Sequence, residues 1–123
     1  MNVLIDTHIF LWLMFDTKKI SSKHMKILQD TSNNIFLSSL SIAEIMIKKS
    51  LNKLDVEFDL EYVLDLFDMK ILDFNAKSAL LLHLLPYYHR DPFDRMIITQ
   101  AISHKYKIIS VDNKFAKYEC DLL

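Results

Sequence analysis

Four short, largely apolar runs punctuate the chain: Val3-Leu4-Ile5, Ile35-Phe36-Leu37, Lys70-Ile71-Leu72 and residues 107–111. Stretches with helical spacing of apolar residues separate them. This alternation constrains the fold more than any other feature. Strands that read as continuous apolar runs are buried on both faces, which is the habit of parallel strands covered by helices. Right-handed crossovers then make the chain a doubly wound α/β domain with a short, mostly parallel sheet of four or five strands. The fifth would lie near Asp121-Leu122-Leu123. At 123 residues the length predicts one domain spanning 1–123.

The intervening stretches predict six helices. Ile9, Phe10, Leu13 and Met14 share a face over 7–15, and Ser21 or Ser22 can cap a second helix over 21–30. Ser41 opens a third carrying Ile42, Ile45 and Met46, and Leu60, Val63, Leu64 and Phe67 mark a fourth. The apolar run 75–85 is stopped by Pro86. Asp91-Pro92 starts a helix running to about Lys105, since proline suits the first helical position.

The chain contains 0 glycines, where average usage gives roughly nine. Every glycine-dependent phosphate cradle is thereby excluded, so phosphate chemistry here must rest on side chains or metal. Asn and Asp are expected to supply the turns. A formal net charge of −1 argues against a protein that coats nucleic acid by charge alone, although it leaves room for a local basic face. Half the residues are hydrophobic (51%), enough for a core without disulfides, and the single Cys120 fits a reducing compartment. The apolar N-terminus is interrupted by Asp6 and His8 and is too short to span a bilayer. A cytoplasmic location with no membrane association is expected.

Four acids stand out by position. Asp6 follows the first strand and Asp112 the fourth, while Glu44 and Asp94 fall in the first turns predicted for helices leaving that same sheet edge. Each has a plain structural explanation. Asp6 can cap a helix, Ser41-x-x-Glu44 reads as a capping box, Asp91 and Asp94 both suit a helix dipole, and Asp112-Asn113 can simply make a turn. A doubly wound sheet nevertheless gathers all four near one crevice. Clustered carboxylates raise one another's pKa unless a cation holds them ionised. With oxygen ligands and no paired His or Cys expected, that cation is Mg²⁺ or Mn²⁺ in preference to zinc. Such a site suits phosphodiester hydrolysis by a metal-activated water.

These residues carry a resemblance. Val3-Leu-Ile-Asp6-Thr7-His8-Ile-Phe-Leu-Trp12, Ser41-Ile-Ala-Glu44-Ile, His89-Arg90-Asp91-Pro92-Phe93-Asp94-Arg95 and Ile109-Ser110-Val111-Asp112 resemble, in order, the four motifs of PIN-domain proteins. The particular likeness is to VapC-type toxins of bacterial toxin–antitoxin pairs, in a subgroup with a DPFDR sequence. The resemblance implies that Asp6, Glu44, Asp94 and Asp112 bind metal and carry catalysis, with Asp91 an additional acid that either touches metal or only caps its helix. It implies that Ser110 orients Asp6 or a metal-bound water. It further implies an endoribonuclease toxin that cuts tRNA or rRNA, is silenced by a VapB-type antitoxin, and pairs as a homodimer.

Two other functions stay open at this stage: a housekeeping PIN ribonuclease, and a non-catalytic α/β interaction module whose acids are only caps. A haloacid-dehalogenase-type phosphatase is set aside, because His8 stands where it needs a second aspartate. Arg90 and Arg95 either bind RNA phosphate or balance the carboxylates. Lys48, with Lys49 and Lys53, is a helix-end cluster that either is solvated or meets RNA. Trp12 is read as core, and His8 and His89 as flanking the site within reach of phosphate.

Overall fold

The computed structural model describes residues 1–123. Five parallel strands form one sheet in the order β3-β2-β1-β4-β5. They are β1 (Asn2–Ile5), β2 (Asn34–Ser38), β3 (Met69–Leu72), β4 (Lys107–Ile109) and β5 (Asp121–Leu122). Six α-helices connect them: α1 (Thr7–Phe15), α2 (Ser22–Gln29), α3 (Ser39–Ser50), α4 (Leu60–Leu66), α5 (Ala76–Leu80) and α6 (Pro92–His104). The expected doubly wound α/β sheet is therefore present, with all five strands parallel.

The central strand shows why its residues must be apolar on both faces. Val3, Leu4 and Ile5 are fully buried. Val3 and Ile5 pack with Ile9, Phe10 and Leu13 of α1 and Ile45 of α3 on one side, while Leu4 packs with Ile97, Ile98 and Ala101 of α6 on the other. Successive side chains of a strand point to opposite faces, so one apolar triplet feeds two cores. The same split repeats in β4, where Ile109 joins the first core and Ile108 the second.

The chain builds outward from β1 to β2 and β3, then crosses back to place β4 on the other side of β1. The strand order reverses between β1 and β4, and crevices open beyond the carboxyl ends of strands at such a point. Asp6 is the first residue past β1, and Ser110 the first past β4.

Three sequence expectations are corrected. The third helix starts at Ser39 with Ser38 as its cap, the Ser38 hydroxyl accepting from Leu40 N at 3.0 Å. Glu44 is therefore not in a first turn, and Ser41-x-x-Glu44 is not a capping box. The run 75–85 is not one helix: α5 ends at Leu80 and a 3₁₀ turn, Leu81–Leu84, continues it. Finally, Asn52 and Asp68 do take the left-handed turn positions, at φ 56° and 50°, but Lys105 takes a third at φ 57°. It ends α6, and Tyr106 N donates back to Ala101 O at 3.0 Å, a closure usually given to glycine.

Candidate active site

Asp6 is 2% exposed, and both its oxygens are engaged. Oδ1 accepts from Ile9 N at 2.9 Å, capping α1, and Oδ2 accepts from Ser110 Oγ at 2.6 Å. Ser110 Oγ also accepts from Asp112 N at 3.1 Å, so one hydroxyl ties the ends of β1 and β4 together. Burial pushes the Asp6 carboxyl up, against the lowering effect of the Ser110 and Ile9 bonds and of His8. Capping and site geometry coexist here, since each carboxylate oxygen keeps a further lone pair.

Glu44 is also buried (4% exposed). It projects from the second turn of α3 toward α1, where Thr7 Oγ1 donates to its Oε1 at 3.0 Å. The Thr7 and Ser41 hydroxyls lie 2.9 Å apart. Lys48 Nζ, one turn further along α3, pairs with Oε2 at 2.7 Å. Hydrogen bonding to Glu44 raises the Lys48 ammonium pKa. Lys48, read as part of a solvated face or an RNA contact, is half-exposed and pairs with an acid of the cluster.

Asp94 stands in the first turn of α6. Its carboxyl is pushed up to about 7, first by burial and then by Asp91, Asp6, Glu44 and Asp112. Asp112 follows β4 and caps a 3₁₀ turn, its Oδ1 accepting from Lys114 N at 2.9 Å. Asp91 is exposed and caps α6, with Oδ1 accepting from Phe93 N at 2.9 Å and Asp94 N at 3.3 Å. The fold thus brings all four predicted acids to one end of the sheet, and Asp91 acts on Asp94 from the rim.

Two residues differ from expectation. Arg95, expected to face RNA or the acids, is 5% exposed and turned into the segment before α6. Its Nη1 donates to Pro86 O at 2.7 Å and Nη2 to Leu85 O at 3.1 Å, while Tyr87 stacks 3.8 Å from the guanidinium carbon. His89, expected only to flank the site, belongs to it. Ligand atoms of His89, Asp94 and Asp112 all lie within 4.8 Å of one another. The imidazole is buried, and burial holds its pKa below the ordinary histidine value. The expectation of an acid cluster with no paired histidine is corrected accordingly. The sequence signal was available in the spacing: His89 precedes the helix cap by two residues, on the loop that must close over the same edge.

Beyond the acids, a cleft of about 570 Å³ is lined by Tyr87, Tyr88, His89, Arg90, Asp91, Asp94, Asp112 and Lys114. Arg90 and Lys114 are its cations, and both are exposed. A separate, apolar cavity of about 260 Å³ lies at the other end of the sheet, among Leu13, Met25, Leu28, Ile35, Phe67 and Met69. It contains none of the acids. No helix is long and apolar enough to cross a membrane.

Comparison with known proteins bears on the family and the fold. The sequence profile of the PIN domain matches residues 3–119. No curated protein matches the chain significantly. Among solved structures, the chain is similar to one in the VapBC2 complex from Rickettsia felis bound to a promoter DNA fragment. That match has a TM-score of 0.75 and 20% identity, covering 100% of this chain and 98% of the other. It is also similar to a chain of DNA-bound VapBC from Salmonella typhimurium, with TM-score 0.67, 16% identity and coverage of 100% and 97%. FitAcB from Neisseria gonorrhoeae follows with TM-score 0.64, 18% identity and coverage of 98% and 96%.

Proposed function

The chain belongs to the PIN-domain family, and from that premise we propose that it is a Mg²⁺- or Mn²⁺-dependent endoribonuclease acting as the toxin of a toxin–antitoxin pair. One observation carries this reading. Burial first, and then the charges of Asp91, Asp6, Glu44 and Asp112 gathered around it, push the Asp94 carboxyl up to about 7. A fold gains nothing in stability from collecting like charges in a buried crevice, so the cluster calls for a cation.

The donor set fits a hard divalent ion. Asp6, Glu44, Asp94 and Asp112 would hold it, and Lys48 alone neutralises only part of their charge. When bound, such an ion stabilises charge on a phosphodiester and brings a water's pKa toward neutrality. The protein's own groups do the positioning. Ser110 fixes the Asp6 carboxylate, Thr7 fixes Glu44, and the caps of α1 and α6 hold Asp6 and Asp94 in place. Arg90 and Lys114 supply positive charge on the cleft wall for RNA phosphates, and the exposed rings of Tyr87 and Tyr88 offer stacking surfaces for unpaired bases.

The similar folds come from complexes named VapBC and FitAcB, and two of them include DNA or promoter DNA. This supports a VapB-type antitoxin as partner. In the same reading the chain pairs as a homodimer and works in the cytoplasm. The test is cleavage of a panel including tRNA and rRNA with each metal, by wild type and by Asp94→Asn. Metal-dependent cuts that vanish in the variant are expected. Purified protein that cuts no RNA with either ion would overturn the reading. Growth arrest on expression, relieved by a co-expressed antitoxin, separates a toxin from a housekeeping nuclease.

A further inference from the structure

The His89 side chain is 4% exposed, and its two nitrogens are treated differently by the fold. Nδ1 lies 2.7 Å from Tyr118 Oη, and the same phenol oxygen accepts from His89 backbone N at 3.2 Å. Phe115 packs against the imidazole at 5.8 Å between centroids, and Tyr88 braces Tyr118 edge-on at 5.0 Å. The ring is therefore clamped. Nε2 is buried, makes no hydrogen bond and points into the acid cluster, 3.6 Å from Asp94 Oδ2. An imidazolium–carboxylate bond would close to about 2.7–2.9 Å, so this spacing is not that of an ion pair. Two donor atoms face each other here without bonding directly. Ligands of an octahedral ion with bonds of about 2.1 Å stand about 3 Å apart when adjacent and about 4.2 Å apart when opposite. The 3.6 Å pair lies between those two values, and the ligand atoms of His89, Asp94 and Asp112 all lie within 4.8 Å of one another.

We infer that His89 Nε2 is a direct metal ligand beside Asp94 and Asp112, with Tyr118 orienting the ring, so that the site is a mixed nitrogen–oxygen centre. Resting on the metal-dependent reading above, the inference extends it by making the site prefer Mn²⁺ to Mg²⁺. Imidazole is a borderline donor that favours transition metals, whereas Mg²⁺ gains little from exchanging water for nitrogen. Tyr118 takes the role of the outer partner that a ligating histidine requires on its other nitrogen.

Pulsed electron paramagnetic resonance on the Mn²⁺-loaded protein tests this without reference to activity. Nitrogen coupling to the ion is expected in wild type and should be lost in His89→Gln. It should persist in His8→Gln, because the exposed His8 acts on Asp6 only through its charge. By calorimetry His89→Gln should weaken Mn²⁺ roughly 10- to 100-fold and Mg²⁺ less than about threefold, with Tyr118→Phe weakening Mn²⁺ about tenfold. Bound Mn²⁺ with no nitrogen coupling, or coupling lost in His8→Gln, would overturn the inference while leaving the nuclease reading intact. Wild-type protein that takes up neither ion would overturn both.

Discussion

Ser110 Oγ donates to Asp6 Oδ2 at 2.6 Å, joining residues 104 positions apart at the two strand ends that flank the crevice. The same oxygen accepts from Asp112 N. A single hydroxyl therefore positions one buried acid and the backbone of another, and it is what makes the reversal in strand order into a defined site.

Ser110→Ala removes both bonds and leaves the Asp6 oxygen buried without that donor. A hydrogen bond to a charged group is worth roughly 1.5–3 kcal/mol, and a loss of about 2 kcal/mol in urea unfolding at neutral pH is expected. The Asp6 carboxyl should also rise further, because Ser110 is the largest influence lowering it. Divalent-ion affinity at pH 6 should then fall more than at pH 8. Ser110→Thr, which keeps the hydroxyl, should restore most of both.

Asp94 contributes a pH dependence of its own to the metal-free protein. Its folded carboxyl titrates at about 7, against 3.8 for an ordinary aspartate. Between those values the folded state holds a proton that the unfolded state has released, so stability falls as pH rises. Asp94 thus favours the fold most below about pH 4, and that contribution is lost on going up through pH 7. The melting temperature without divalent ions should fall across this window, and Asp94→Asn should flatten the fall. Adding Mn²⁺ at pH 8 should raise the wild-type melting temperature and leave that of the variant nearly unchanged. A pH dependence that is the same in wild type and Asp94→Asn would contradict the assignment of Asp94 as the crowded acid.

Asp91 separates capping from charge. It caps α6 through two backbone amides and also raises the Asp94 pKa from the rim. Asp91→Ser keeps a capping oxygen and removes the charge, so it should leave stability within about 0.5 kcal/mol while lowering the apparent pKa of Asp94. Asp91→Ala removes the cap as well and should cost about 1 kcal/mol. Equal destabilisation by both variants would show that the charge, not the cap, matters at this position.

What could be read from the sequence, and what could not, divides along physical lines. The strands and the start of α6 were legible because local chemistry fixes them: apolar triplets bury on two faces, and Asp91-Pro92 both caps a helix and opens it. The convergence of the acids was legible because topology, not side-chain detail, delivers it. Glu44 was misread because Ser38, the last residue of β2, takes the cap that Ser41 was expected to supply. The partners of Arg95 and His89 were out of reach for another reason. They depend on where a loop folds back in space, on the carbonyls of Leu85 and Pro86 and on a tyrosine 29 residues away. The Lys48–Glu44 pair, by contrast, is one helical turn apart and could have been read from its i,i+4 spacing. Residue type alone offered only "basic, near the acids".

Arg95 gives the last prediction, because it is the basic residue of the motif whose role the structure changes most. Its guanidinium spans two carbonyls, Leu85 O and Pro86 O, and stacks on Tyr87. Those carbonyls lie at the start of the loop that carries His89 into the crevice. Arg95→Ala strands the buried Leu85 O and frees the part-buried Pro86 O to water, and should cost about 1–3 kcal/mol, the penalty of one buried group left unpaired. Arg95→Lys should recover less than half of this, because an ammonium lacks the planar fork that meets two acceptors at once and stacks on a ring. Neither variant should change the salt dependence of RNA binding once corrected for the folded fraction, whereas Arg90→Ala, which removes an exposed cation of the cleft, should reduce its slope. A salt slope that drops with Arg95→Lys but not with Arg90→Ala would return Arg95 to the RNA-facing role that the sequence suggested.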